Sequence, residues 1–388
     1  MVPATLVKLR SMRTNVKPQE PRLLLTSFVM IAMAVSLSAP SFSQPGERGA
    51  GGRTFDHWIQ TGVAAARGGD LKAAKEAFQR AVSLRPRDPR ALTALGEVQE
   101  QLGDYSASIQ TFREVIEIDR TSPEAHVNLA VALADQGNLA NGLEETEQAI
   151  NLNPGSSAAH SLRGRLLNDL DRRADAREEF RIALQIAPHN AEALRYWAAL
   201  EEHEGNARVR ADLLRRYILV RPKDAYAQFQ FGQLMEDAHR DVEAIAAWRR
   251  AVALNPDYRE AIYSLARAVR KSDPQEAKKL VDRVSALERD QQTDDRVRTL
   301  GNSGNEKMAE SNFPGAIEDL QQAIMLCGKC RHLGALEKNL GLAYCHKGEL
   351  DFCQRELKIA QSLIPDDPDV ALALRVARQQ QQSMAGGK

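Results

Sequence analysis

Aromatic residues are scarce in this chain, at 5% of its 388 residues, although 43% of the residues are apolar. A single large globular core normally holds more aromatic side chains, so Ala and Leu must supply most of the buried area here. Net charge is absent as well, because 52 Lys and Arg residues balance 52 Asp and Glu residues. No overall field attracts polyanions, and we expect no nucleic-acid partner.

Motifs of catalysis are also missing. The chain contains no GxSxG, GxxxxGK, GxGxxG or HExxH motif, and the stretch EEHEG at 201–205 has the wrong spacing for zinc ligands. We therefore expect a protein that is not an enzyme, with no cofactor and no small-molecule substrate. The acidic residues 201–204 predict a solvated helix face. His126 and His160 share one phase of the pattern described below, which predicts packed core histidines.

Long apolar runs are limited to one, LLLTSFVMIAMAVSL at 23–37, preceded by basic residues and followed by Ser41 and Ser43. This order predicts a secretory signal peptide over 1–43 with cleavage after Ser43. The alternative is an uncleaved membrane anchor. In either case the rest of the chain is exported, to the periplasm or cell envelope or as a secreted protein. The Gly-rich stretch that follows, 44–54, predicts a flexible linker.

From Phe55 onward the sequence repeats every 34 residues without insertion or deletion as far as Tyr258. Large residues recur at one phase, including Phe78, Phe112, Phe180 and Trp248, and small residues recur at another, including Gly62, Gly96, Gly164 and Gly232. Each period carries two amphipathic helical patterns and ends near a proline, which stops the second helix. The region 55–258 therefore predicts six regular helical repeats, whose small residues let paired helices approach closely.

These units resemble tetratricopeptide repeats. The family pattern is visible in ALTALGEVQEQLGDYSASIQTFREVIEID at 91–119 and in NLGLAYCHKGELDFCQRELKIAQSLIPDDP at 339–368. The resemblance covers most of 55–367. It implies an all-α, right-handed superhelical solenoid of about nine helix-turn-helix units.

Three less regular units are predicted over 259–367. The seventh is one residue short, with Val281 expected in its core, and RDQQTDD follows it as an insertion. The eighth has a poor first helix, since GNSGNEK places two glycines where helix formers belong. The segment 368–388 predicts a capping helix to about Gln380 with polar residues facing water, followed by a disordered tail.

All four cysteines lie in the last two repeats. Cys327 and Cys330 fall in a turn at a helix C-terminus, where the dipole does not favour a thiolate. Four cysteines in an exported chain favour two structural disulfides, and we prefer Cys327–Cys330 with Cys345–Cys353 among the three pairings. The alternatives are a zinc site with nearby histidines and reduced, inert thiols.

The family resemblance also implies a binding surface, because first helices of such repeats line a concave groove. Carrying over the family's exposed ligand positions, we predict a partner site on repeats five to seven formed by Arg195, Glu202, Tyr226, Phe229, Gln233, Glu236, Asp237, Tyr263, Arg267, Arg270 and Lys271. Arg165 occupies one such position in the fourth repeat. Aromatic residues among opposite charges are typical of peptide-binding grooves.

The sequence thus predicts a non-catalytic protein-interaction scaffold of the cell envelope. Its partner would be a protein or an extended peptide, and membrane contact would come only through an uncleaved N-terminal anchor. The alternative function is an envelope redox or metal-handling helper that uses the CGKC stretch. A helper of an envelope enzyme or secretion machine would differ from the scaffold only in its partner.

Overall fold

A computed structural model describes residues 54–386, with side chains to residue 382. The predicted signal segment and nearly all of the predicted linker lie outside the described residues. All regular structure in the described part is helical, in 18 helices. These helices form two compact units divided after Pro222, called here the N-terminal unit (54–222) and the C-terminal unit (223–386).

Ten helices in five antiparallel pairs make up the N-terminal unit. They are α1 (Phe55–Arg67), α2 (Leu71–Leu84), α3 (Pro89–Gln101), α4 (Tyr105–Ile118), α5 (Pro123–Asp135), α6 (Leu139–Leu152), α7 (Ser157–Asp169), α8 (Arg173–Ile186), α9 (Ala191–Glu204) and α10 (Ala207–Val220). The first helices of successive pairs begin 34 residues apart, as the sequence predicts.

Eight helices make up the C-terminal unit. They are α11 (Ala225–Asp237), α12 (Asp241–Leu254), α13 (Arg259–Val269), α14 (Pro274–Ala309), α15 (Phe313–Cys327), α16 (Leu333–Lys347), α17 (Leu350–Leu363) and α18 (Pro368–Gly386). Helix α14 is long enough to provide both the second helix of the seventh repeat and the first helix of the eighth. Counted in this way, the helices of both units form nine pairs, followed by α18. The prediction of about nine helix-turn-helix units with a C-terminal capping helix is confirmed.

Side-chain caps and left-handed turn residues set the helix boundaries. Ser122 and Asp224, for example, accept hydrogen bonds from the backbone N–H three residues on, which satisfies a donor that the helix leaves open. Between paired helices one residue adopts positive φ, and it is glycine in four of the first six repeats. Asp171 and His239 hold the same position with φ of 60° and 57°. The turn geometry is thus conserved even where glycine is absent.

The two helices of a pair touch through a small residue on the first helix and a large one on the second. A Cβ atom added to Gly96 would lie 2.7 Å from the ring of Phe112, and one added to Gly232 would lie 2.5 Å from that of Trp248. Phe112 and Trp248 are fully buried. Because real Cβ contacts are longer, only glycine allows the helices this close approach.

First helices of successive repeats also contact one another in the N-terminal unit. Helix α3 contacts α5, α5 contacts α7, and α7 contacts α9, whereas the second helices make no comparable contacts. The first helices are therefore the more closely spaced, and this unit curves with its first helices on the inner side.

The seventh and eighth repeats differ from the prediction. Helix α14 runs unbroken for 36 residues through RDQQTDD and GNSGNEK. Its glycines are tolerated because packing outweighs propensity: Gly301 faces Leu336 and Gly304 faces Leu320, each closely enough that a Cβ would crowd the leucine. The expected core position of Val281 is wrong, since this residue is half exposed.

The C-terminal helix covers the last pair. Val370, Leu374 and Ala377 of α18 are buried, which fits the predicted cap. The helix continues to Gly386, beyond the predicted end near Gln380. Its outer face is not wholly polar, since Leu372 and Val376 are exposed. None of the helices described here is both long and apolar enough to cross a membrane.

We predict that Gly164→Ala lowers the free energy of unfolding by about 1–3 kcal/mol, because the new methyl group would lie 2.7 Å from the Phe180 ring. Adding Phe180→Leu should recover part of this loss, since the fifth repeat already pairs Ala198 with Leu214. Urea unfolding of both single variants and the double variant measures the coupling. Strictly additive losses would contradict the close-approach argument.

Candidate protein-binding surface

The predicted partner site falls on both compact units. Arg195 and Glu202 belong to α9 of the N-terminal unit. Arg195 pairs with Glu192 at 3.1 Å and lies 4.2 Å from the centre of the Tyr196 ring. Glu202 is exposed and pairs with Arg210 at 2.8 Å. The other nine predicted residues belong to the C-terminal unit and are described separately.

Two tyrosines stand out on the first helices of the C-terminal unit. Tyr226 on α11 and Tyr263 on α13 are each about half exposed. Gln233 and Asp237, farther along α11, are exposed too. Large aromatic side chains with this much exposure offer contact area that binding would bury at small entropic cost.

An ion pair connects α11 and α13. Arg267 donates to both carboxylate oxygens of Glu236, at 2.7 and 2.6 Å. Both bonds come from the same nitrogen, Nη2, and they bring together two predicted site residues that are 31 positions apart in sequence. Arg270 and Lys271, at the end of α13, are exposed. Besides the Arg267–Glu236 pair, this part of the chain therefore carries two exposed basic residues at the end of α13.

Phe229 is a correction to the predicted site. The sequence assigns it to an exposed ligand position, but the side chain is 8% exposed and its ring lies 5.0 Å from that of Tyr258. Burial and nearby acidic groups raise the pKa of Tyr258, so this tyrosine stays neutral. Phe229 packs against the residue that precedes α13 and is not available to a partner.

The acidic stretch at 201–204 is a second correction. Glu201 is 1% exposed, and its carboxylate accepts hydrogen bonds from Arg177 at 2.7 Å, from Trp197 at 2.8 Å and from Asn206. These donors outweigh burial and lower the pKa of Glu201. Only its neighbours Glu202 and Glu204 fit the predicted solvated face.

His126 and His160 have structural contacts, as predicted. The Nδ1 atom of His126 lies 2.6 Å from Glu145, and that of His160 lies 2.7 Å from Glu179. Each pair joins the two helices of one repeat at the same sequence spacing. The histidines thus anchor helices and do not form a joint site.

The cysteines form the preferred pairs. Cys327 is bonded to Cys330 in the turn after α15, and Cys345 of α16 is bonded to Cys353 of α17. Cys353 is fully buried. In the described part no cysteine is free, and no three potential ligand side chains are grouped around a metal position.

Two buried carboxyl groups lie on the two helices that the second disulfide joins. Glu337 of α16 and Glu356 of α17 are 7% and 6% exposed. Glu356 accepts from Arg355 at 2.6 Å, whereas one oxygen of Glu337 has no hydrogen-bond partner. Burial, with the neighbouring Glu356, raises the pKa of Glu337 to about 7. The folded protein is therefore most stable when the Glu337 carboxyl group is protonated.

Sequence reasoning missed a group of acidic residues on the inner side of the N-terminal unit. Asp135 on α5, Asp169 on α7 and Glu100 on α3 interact electrostatically with Arg165, and Glu97 on α3 interacts with Glu100. We call these four acidic residues the acidic cluster. The signal was present, because these side chains occupy the same repeat positions that the prediction used farther along. These positions hold no aromatic residue, which is the feature that marked the predicted site.

Models of the tetratricopeptide repeat match residues 59–123 and 101–166. A search of curated proteins found no match. Solved structures similar to this chain include YrrB, a tetratricopeptide repeat protein with an unusual peptide-binding site, at 18% identity and a TM-score of 0.41, covering 47% of this chain and 94% of YrrB.

Two further solved structures cover more of this chain. A tetratricopeptide repeat protein from Parabacteroides merdae is 16% identical with a TM-score of 0.41, covering 74% of this chain and 98% of that protein. The type IV pilus biogenesis factor PilW is 16% identical with a TM-score of 0.46, covering 55% of this chain and 98% of PilW.

We predict that the two disulfides contribute unequally to stability. Changing Cys345 and Cys353 to Ser should cost about 2–4 kcal/mol, because that bridge joins two helices and Cys353 is buried. Changing Cys327 and Cys330 to Ser removes a bridge that closes a shorter loop, so it should cost less. Denaturant unfolding followed by circular dichroism compares the two variants, with thiol counting on the parent. Equal losses would contradict this ranking.

We predict that the C-terminal unit loses stability as pH rises from about 4.5 to 7. In that window the unfolded chain ionises Glu337 while the folded chain keeps its proton, so the folded state binds more protons. Glu337→Gln should therefore gain about 1–3 kcal/mol at pH 8 relative to pH 4.5. Glu318→Gln, an exposed change on α15, is the matched control. A parallel pH profile for the two variants would refute the assignment.

Proposed function

Because the chain belongs to the tetratricopeptide repeat family, we propose that it is a non-catalytic scaffold of the cell envelope that binds an extended segment of a partner protein. Proteins of this family are generally protein-interaction scaffolds. The proposal places the partner on the first-helix surface of α11 and α13. We call this surface the tyrosine face and define it by Tyr226, Tyr263, Arg270 and Lys271.

The observation that carries the proposal is the exposure of two tyrosines on adjoining first helices of an aromatic-poor chain. Tyr226 and Tyr263 each keep about half of their surface in contact with solvent. Other large aromatic side chains at repeated positions, such as Phe78 and Trp248, are fully buried. Binding of a partner would bury this exposed aromatic surface.

The exposed charges around the tyrosines indicate in which orientation a partner segment would lie along this surface. The charge of Arg267 is neutralised by Glu236, so this residue connects α13 to α11 and attracts a charged ligand less strongly. Arg270 and Lys271 are exposed at the end of α13, and Asp237 is exposed at the end of α11. We infer that acidic residues of the partner lie beside Arg270 and Lys271.

Export to the cell envelope is part of the proposal. It is supported by the signal-peptide pattern of residues 1–43 and by the two disulfides of the C-terminal unit. Disulfides persist in oxidising compartments and are rare in reducing ones. The metal-handling alternative would need free thiols as ligands, whereas all four cysteines, which lie in the described residues, are bonded in pairs.

Affinity capture of partners from the organism's envelope fraction, followed by binding measurements with the captured partner, tests the proposal. Tyr226→Ala with Tyr263→Ala should weaken binding by about 1–3 kcal/mol with little dependence on salt. Arg270→Glu with Lys271→Glu should weaken binding most strongly at low salt, because exposed charges are screened by ions.

The matched control is Arg250→Glu with Lys279→Glu, which makes the same charge change at exposed positions of α12 and α14. This control should bind like the parent. If it abolishes binding while the tyrosine variant keeps full affinity, the tyrosine face is not the partner site.

A further inference from the structure

The residues of the acidic cluster lie on α3, α5 and α7, three first helices of which each contacts the next. Glu97 and Glu100 lie one turn apart on α3, and Asp135 lies at the end of α5. From α7, Arg165 approaches Asp135 at 3.4 Å and interacts electrostatically with Asp169. Three of the four carboxyl groups thus interact with one guanidinium group on the inner side of the N-terminal unit, and the fourth, that of Glu97, interacts with Glu100.

The carboxyl groups of this cluster are poorly stabilised within the protein. Glu97 and Glu100 receive no hydrogen bond and form no ion pair in the described part of the chain, and burial raises the pKa of each to about 7. Burial also raises the pKa of Asp135 and Asp169, even though Arg165 lies beside them. Ionising all four groups is therefore unfavourable unless more positive charge is supplied.

Carboxylates with a structural role look different in the same unit. Glu201 is more deeply buried than Glu97, but three donors hold it and its pKa is lowered. Asp88 caps α3 and pairs with Arg90 at 2.9 Å, and its pKa is also lowered. The fold satisfies its own acidic groups, whereas it leaves Glu97 and Glu100 without partners.

Two unsatisfied donors lie in the same place. Arg165 is 9% exposed, and its buried Nε–H has no hydrogen-bond partner. The buried hydroxyl group of Tyr196 makes no well-formed hydrogen bond either, although it interacts electrostatically with Arg165, and its ring centre lies 5.9 Å from the Arg165 guanidinium carbon. Buried donors without acceptors are rare in folded proteins and indicate a missing partner.

We propose that the acidic cluster binds a lysine- or arginine-bearing extended segment of a partner protein. Its basic side chains would neutralise Glu97, Glu100, Asp135 and Asp169, and its backbone carbonyl groups would accept from Arg165 and Tyr196. A peptide supplies cations and carbonyl acceptors together, as this combination of groups requires. The site is separate from the tyrosine face and of opposite charge preference.

Fluorescence anisotropy with a labelled peptide of alternating Lys and Ala tests the proposal on the intact protein. Its matched ligand is a peptide of alternating Glu and Ala. The basic peptide should bind and the acidic one should not. Glu97→Gln with Glu100→Gln should weaken binding of the basic peptide roughly tenfold, because two carboxylates that would face its cations become neutral.

The matched control is Glu114→Gln with Glu117→Gln, which removes the same charge at the same spacing from exposed positions of α4. It should change affinity less than twofold. Circular dichroism melting of both variants verifies folding. Equal loss in the two variants would show attraction by net charge alone and overturn the site.

A pH series gives a second readout. Glu97 and Glu100 interact with each other, and Glu100 also interacts with Asp135 and Arg165. Because Glu97 and Glu100 lose their protons near pH 7, the parent should bind the basic peptide more tightly at pH 8 than at pH 6. The Gln variant should lose most of this difference. A pH-independent affinity in the parent, or no binding of the basic peptide, would overturn the proposal, and neither result bears on the tyrosine face.

Discussion

The contact between a glycine on one helix and a large side chain on its partner governs the whole arrangement. It recurs in the first, second, fourth and sixth repeats, where Gly62, Gly96, Gly164 and Gly232 lie against Phe78, Phe112, Phe180 and Trp248. The third repeat replaces both members, with Ala130 and Thr146 fully buried at the same positions. The two sizes therefore change together, with a larger residue on the first helix facing a smaller one on the second.

This constraint explains why the sequence predicts the fold so well. The period of 34 residues records which side chains must be small and which large, and both sets can be recognised without an alignment. The prediction fails at α14, where glycines and polar residues suggest a break and packing against Leu320 and Leu336 keeps the helix continuous. Local propensity is a weak guide when a glycine is needed for close approach.

The candidate surfaces were less predictable, because exposure depends on neighbours distant in sequence. Phe229 occupies an outward repeat position, but its ring packs against that of Tyr258, which lies in the connection just before α13. Glu201 lies in an acidic stretch but is enclosed by Arg177, Trp197 and Asn206. Repeat phase identifies the helix face of a residue, whereas the side chains of adjacent repeats decide whether that residue stays accessible.

Helix α14 has a consequence for how the C-terminal unit comes apart. In a stack of separate repeats each boundary is a turn, and unfolding can halt at any of them. Here the second helix of the seventh repeat and the first helix of the eighth are one continuous segment, Pro274–Ala309. Melting one repeat would leave half a helix without its packing partner, so these two repeats form a single cooperative block. The smallest unit that unfolds cooperatively is therefore two repeats here, whereas it is one repeat in a regular solenoid.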